Sequence, residues 1–388
     1  MTCVGTGVFE REELVAHAKE ADFDAAHEHT QRRPRPERAR FGHPHKGHRF
    51  STAGASTRGC RSRYLVHRPM TTSPPDLLAV REAAARIAGL AHRTPVTTCK
   101  TLDRMAGIEL FFKCEHLQKT GAFKFRGACN AVWKLPAELA ERGVVTHSSG
   151  NHAGAIALAA RLRGIPARVV MPKTASAAKR RAVEGYGARV IECEPTQESR
   201  EATATTLVEQ SGGTLIPPYD HPDVIAGQGT TALELIEQVP RLDAIVAPIG
   251  GGGLVSGVCI AARGVSPGVR VFAAEPKAAD DAARSKAANR RIPWSGPAAT
   301  IADGLLTSLG ALTWPVVRDC VERVTVVTEE EIVQAMRLLW ERAKLLVEPS
   351  AAVALAAVLG DEFRALPGLR RVGIVLSGGN VDLERLPF

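Results

Sequence analysis

The sequence predicts an α/β fold built from two open parallel-sheet domains. Two observations carry this. A length of 388 residues suffices for two cores of ordinary size. From Leu77 onward, short apolar runs alternate with amphipathic segments across short turns, the pattern of α/β units with right-handed crossovers. VVTHS (144–148) reads as a strand and His152–Leu162 as a helix. ARVVMP (167–172) is a strand, followed by a helix over Ala175–Gly185. ARVIEC (188–193) is a strand, followed by a helix over Gln197–Gln210. DAIVAPI (243–249) leads into a helix from Leu254, then VRVFAAE (269–275); RVGIVL (371–376) closes the series. No run approaches the roughly 20 apolar residues of a membrane span. Eight cysteines are scattered without a CxxC pair, which fits reduced thiols in the cytoplasm better than a disulfide framework.

Residues 1–69 differ in kind. They hold seven of the twelve histidines, and residues 31–69 hold eleven Lys/Arg against one acid, Glu37. That stretch supplies essentially all of the net charge of +9, so the remainder is close to neutral. Nucleic-acid or membrane-surface binding would rest on this tail alone. Hydrophobic periodicity is absent after about Val15, there is no apolar core of a secretory signal, and Glu12, Glu13, Asp22 and Asp24 argue against a transit peptide. The expectation is a disordered extension, or one upstream of a natural start at Met70. No C-terminal regulatory domain is expected after Ser377.

Four segments carry chemistry. Gly250–Gly253 lies between the apolar strand DAIVAPI and the helix LVSGVCIAA. Without side chains, its backbone N–H groups can close on an anion at a helix N-terminus. A dinucleotide fingerprint fails on spacing, because Val255 and Ser256 stand where the third glycine is required; close packing is the plain alternative. In KTGAFKFRGA (119–128), Lys124 sits between Phe123 and Phe125, where desolvation would lower its pKa and favour an imine. SSGNHAG (148–154) gathers hydroxyls, an amide and free N–H groups at a helix start, suited to a carboxylate or simply to N-capping. SGGN (377–380) ends an apolar strand and by itself is a turn.

Together, in order and approximate spacing, these segments resemble the pyridoxal-phosphate (PLP) enzymes of the tryptophan-synthase β fold, fold type II. Within them they resemble the serine/threonine dehydratase and serine racemase group. IAGQGTTALE (225–234), TIADGLLTSLG (300–310), LLVEPSAAV (345–353) and LSGGNVDL (376–383) extend the likeness over about 77–388. The resemblance implies two α/β domains with the cofactor between them, the smaller (143–220) inserted in the larger (70–142 and 221–388). It implies that Lys124 is the Schiff-base lysine and that Phe123 lies against the pyridine ring. Asn151 would bond the ring hydroxyl, Gly250, Gly251, Gly252 and Gly253 would cradle the phosphate, and Ser377 would face the pyridine nitrogen. Ser148, Asn151 and His152 would take the substrate carboxylate; for His152 a packing role is the alternative. A neutral hydroxyl at Ser377 makes the ring a weaker electron sink, which suits β-elimination or racemisation better than transamination.

Ser149 stands where serine racemases carry the serine that works opposite the lysine; many threonine dehydratases have alanine there. Arg200 stands where racemases carry an arginine near the substrate's distal end. Glu275, Ala279 and Asp281 match the racemase group's divalent-cation site, suited to Mg²⁺ or Ca²⁺. The sequence also departs from the group. Ala122 replaces a serine, and Tyr219 resembles bacterial threonine dehydratases. Gly154 replaces a glutamine that helps bind ATP, which speaks against ATP activation although Lys119, Lys344 and Asn380 match other parts of that site. The expectation is an ammonia-lyase acting on L-serine or L-threonine in a homodimer. Serine racemisation ranks second and 3-hydroxyaspartate ammonia-lyase third. A non-catalytic PLP or amino-acid binding protein is the rival of another class, opposed by Lys124, Ser149 and Ser377.

Overall fold

The computed structural model describes residues 73–294 and 299–388; the N-terminal extension lies outside them. Ten strands run β1 (Val96–Thr97), β2 (Glu109–Lys113), β3 (Val144–His147), β4 (Ala167–Pro172), β5 (Arg189–Cys193), β6 (Thr214–Leu215), β7 (Ala244–Pro248), β8 (Arg270–Pro276), β9 (Val321–Val327) and β10 (Arg371–Val375). They form a six-stranded sheet in the order β1-β2-β10-β7-β8-β9 and a four-stranded sheet in the order β5-β4-β3-β6. Every pairing is parallel except β1 with β2. Ile374 of β10 sits between Phe112 of β2 and Val246 of β7, so the chain's last strand enters the centre of the larger sheet.

Parallel sheets bury both faces, and their strands read as unbroken apolar runs; all five residues of β7 are buried. One face is covered by the helix Pro349–Leu359, whose sequence PSAAVALAAVL is apolar all round and buried along nearly its whole length. The other is covered by the helices Pro222–Gln238 and Gly253–Val265. The smaller sheet packs on the alanine-rich helix Asn151–Arg163. Helix starts follow ordinary capping chemistry: Ser176, Thr196 and Thr328 each accept a backbone N–H with a side-chain oxygen, Thr328 reciprocally with Glu331.

An ion network ties the helices Lys124–Lys134 and Pro222–Gln238 to β2 of the larger sheet. Arg126, fully buried, donates to both oxygens of Glu115 (2.7 and 2.8 Å) and both of Glu234 (2.7 and 2.8 Å). Lys113, equally buried, donates to Glu234 (2.6 Å) and to Thr94 O (2.8 Å). Two cations and two anions satisfy one another, so removing one partner leaves uncompensated buried charge. Arg126→Met is expected to cost about 3–5 kcal/mol, read as a lower midpoint of chemical unfolding. Loss of the exposed pair Arg93–Glu237 should leave that midpoint in place, and equal effects from the two substitutions would contradict this reading.

Candidate active site

Lys124 begins the helix Lys124–Lys134. The segment before it is zipped to the end of β10. His116 N donates to Leu376 O (3.1 Å), Phe123 N to Ser377 O (3.0 Å) and Gly379 N to Gly121 O (2.9 Å). Lys124 and Ser377, 253 positions apart in sequence, are thereby held side by side. Lys124 Nζ donates to Pro218 O (2.7 Å) and lies 5.1 Å from the Phe123 ring centroid. Desolvation lowers its pKa from 10.5 to about 8, with nearby Glu348 pulling the other way.

Pro218 leads directly to the glycine turn. The ring of Tyr219 lies so close to Gly251 that a Cβ there would stand 2.4 Å from it. Gly252 has φ +85°, and a Cβ on it would meet Leu309 and Thr313 at 2.9 Å, so no larger residue fits. Thr313 Oγ1 donates to Gly251 O (2.8 Å) and accepts from Gly310 N (2.9 Å), bracing the turn from behind. Among the described residues, none of the backbone N–H groups from Gly251 to Val255 has an acceptor. They open the helix Gly253–Val265, whose dipole adds partial positive charge.

The turn Ser148–Gly150 joins β3 to the helix Asn151–Arg163. Gly150 N donates to Ser148 Oγ at 3.4 Å, and Ser149 is half-buried. Asn151 Nδ2 donates to Glu348 Oε1 (2.9 Å), and Asn380 Nδ2 donates to Asn151 Oδ1 (2.8 Å), leaving one amide hydrogen of Asn151 free. Glu348 also accepts from Asn380 N (3.1 Å), and burial pushes its carboxyl up to about 8. Burial therefore drives both Lys124 and Glu348 toward their neutral forms. Glu348 was not singled out in the sequence. Its signal is an acid immediately before the proline that opens the helix Pro349–Leu359, apolar but for Ser350.

His152 turns into the core: its ring is buried, with Nε2 3.1 Å from Ile216 O and Nδ1 without a partner among the described residues. Desolvation, with the Lys124 charge adding, pushes its pKa down to about 3, so the ring is neutral. That is the geometry of the packing alternative. Arg200 lies in the first turn of the helix Gln197–Ser211, and its Nε is buried without a hydrogen-bond partner among the described residues.

Glu275 is the last residue but one of β8, Ala279 lies in the short 3₁₀ turn Lys277–Ala279, and Asp281 begins the helix Asp281–Ala288. Glu275 accepts from Ala282 N (3.2 Å) and Ala283 N (2.6 Å), and Asp281 accepts from Leu309 N (3.2 Å). Both carboxyls are buried, which raises Glu275 to about 8 and Asp281 to about 6. Two acids, not three, meet here; no group of three or more His, Cys, Asp or Glu gathers among the described residues.

The family of pyridoxal-phosphate dependent enzymes matches residues 87–378. The serine racemase of Arabidopsis thaliana is 55% identical over 316 residues, covering 80% of this chain and 95% of the relative. The beta-hydroxyaspartate dehydratase of Paracoccus denitrificans is 50% identical over 313 residues, covering 81% of this chain and 98% of the relative. Among solved structures, maize serine racemase superposes with a TM-score of 0.79 at 52% identity, covering 80% of this chain and 95% of that one. The residues present fit the cofactor these comparisons imply. A desolvated amine offers the imine partner, and a turn that no Cβ could enter offers a row of unpaired N–H donors for a phosphate.

Proposed function

The chain belongs to the family of pyridoxal-phosphate dependent enzymes, and on that premise we propose that it acts on serine, converting it to a 2-oxo acid and ammonia and interconverting the two enantiomers at one site. The observation that carries this reading is the desolvated Lys124 amine, joined through Pro218 and Tyr219 to the glycine turn. Bound PLP supplies an aldehyde for the substrate amine and an electron sink for the α-carbon.

The protein's own groups do the rest. Gly250–Gly253 hold the phosphate through backbone N–H groups. Phe123 would lie against the ring, Ser377 would face its nitrogen with a neutral hydroxyl, and Asn151 would offer its remaining amide hydrogen to the ring hydroxyl. Ser148, Ser149 and Asn151 orient the substrate carboxylate. Lys124 Nζ would hold the cofactor and, once its amine is free, would take the α-proton from one face. Elimination would then release the β-hydroxyl as water, the proton taken by Lys124 Nζ being available to the leaving oxygen. For racemisation, Ser149 Oγ delivers a proton to the other face. A homodimer in the cytoplasm is the proposed working form. No helix among the described residues is long and apolar enough to cross a membrane.

The buried, unpartnered Arg200 Nε favours a second reading, in which its guanidinium holds a second carboxylate and 3-hydroxyaspartate is eliminated at the same site. A panel of L-serine, D-serine, L-threonine and threo-3-hydroxyaspartate, read for 2-oxo acid, ammonia and chirality together, tests both. Turnover confined to 3-hydroxyaspartate would select the second, and no turnover of any of the four would overturn both.

A divalent cation, Mg²⁺ or Ca²⁺, is proposed at Glu275, Asp281 and the Ala279 carbonyl. It would compensate two carboxylates that burial makes costly to ionise. Leu309, which donates to Asp281, also packs against Gly252, so the cation would brace the phosphate turn. Chelation is expected to lower the melting temperature, and restored cation at a hundredfold excess over Kd to return about 2.7 kcal/mol. Glu275→Gln should abolish that response. A wild-type protein indifferent to chelator would remove the cation from this site.

A further inference from the structure

Cys259 and Cys320 lie 61 positions apart in sequence yet line one cleft of about 240 Å³, with Pro74, Ile260, Arg263 and Val316. Cys259 is buried in the helix Gly253–Val265, and Cys320 is the half-exposed last residue of the helix Thr313–Cys320, packed against the same apolar cluster. Basic groups surround the exposed thiol. Arg263 donates to Asp319 O and Lys286 to Arg318 O (2.9 Å), while the Asp319 carboxylate is occupied by Arg318 at 2.6 and 2.8 Å.

We propose that Cys259 and Cys320 are a reversible dithiol–disulfide pair that cross-links the two helices carrying the glycine turn. Contact with the Cys259 thiol, then the Arg263 and Lys286 charges, lower the Cys320 pKa, whereas burial pushes Cys259 well up. Cys320 is therefore the attacking thiolate and Cys259 the resolving thiol. With hydrogen peroxide as oxidant, the Cys320 thiolate attacks one peroxide oxygen, the O–O bond breaks and hydroxide leaves. Cys320 is now a sulfenic acid. Cys259 Sγ then attacks Cys320 Sγ, its proton goes to the departing hydroxyl, and water leaves. Two thiol sulfurs are oxidised and one peroxide is reduced.

Position gives the cross-link its consequence. The Cys259 helix starts at Gly253 of the glycine turn, and the Cys320 helix starts at Thr313, which braces Gly251. A disulfide joining the middle of the first helix to the last residue of the second closes a large loop in the unfolded chain and fixes the two supports of the turn relative to each other.

The test uses holoenzyme treated with hydrogen peroxide and digested without reductant. The expected result is a Cys259–Cys320 linked peptide pair two hydrogens lighter than its thiol form. The melting temperature should rise by about 5 °C and fall back on reduction. Cys320→Ser, at the half-exposed position, should abolish both signals while melting like the reduced wild type, and Cys259→Ala should likewise abolish both signals. Cross-links at other cysteines, irreversible oxidation of Cys320 with Cys259 still free, or both thiols still open to alkylation after treatment would each overturn the proposal. None of these readouts depends on turnover, so the outcome is independent of the substrate.

Discussion

Lys124→Ala should abolish covalent retention of the cofactor and lower turnover by at least about 10²–10⁴-fold, the range for losing one positioned acid–base group. The argument rests on the state of the amine. With its pKa lowered from 10.5 to about 8, about one Lys124 in ten is neutral at pH 7, against about one in three thousand for an unperturbed lysine. Only the neutral amine forms an imine or takes a proton. Borohydride reduction of the wild type should fix the cofactor on the peptide containing Lys124; in the variant no label should appear there. A variant still labelled at the same place would show that another residue holds the group. The shift also has a sign in stability. Between pH 8 and 10.5 the folded cofactor-free protein binds fewer protons at this site than the unfolded chain does, so its stability rises with pH across that window.

The elements that position this lysine were unevenly legible in the sequence. The strands at 144–148, 167–172, 188–193, 243–249, 269–275 and 371–376 were read from unbroken apolar runs, and each has its counterpart in β3, β4, β5, β7, β8 and β10. β2 and β9 were not assigned. ELFFK and VERVTVV carry charges at their ends or on their exposed positions, which masks a strand in a single sequence. β6 has two residues, too short for any periodicity. The fold type and the cofactor were legible because four local motifs kept their order and approximate spacing. The contacts that give the site its electrostatics were not. Lys124 meets a carbonyl at Pro218, 94 positions away, and Asn151 meets Glu348, 197 positions away. No local pattern encodes such pairings, and Pro218 acts through its backbone, which has no residue signature. His152 is a further case: its ring meets the carbonyl of Ile216, 64 positions away, a pairing with no local signature.

Ser149 separates elimination from racemisation. A proton can be delivered to the second face of the α-carbon only by a group on that face, and Ser149 is the hydroxyl proposed for it. L-Serine elimination draws on Lys124 alone. Ser149→Ala should therefore lower D-serine formation and D-serine breakdown by about 10²–10⁴-fold, while L-serine still yields 2-oxo acid and ammonia, at a rate reduced only by disturbance of the carboxylate turn. Loss of L-serine elimination and of D-serine formation from L-serine, with D-serine breakdown intact, would reverse the assignment of the two faces. The most direct measurement is a single incubation of the cofactor-loaded wild type and Ser149→Ala with L-serine, assayed for D-serine and pyruvate together. The expected result is both products from the wild type and pyruvate alone from the variant; a cofactor-loaded wild type that makes neither would contradict a serine-directed enzyme outright.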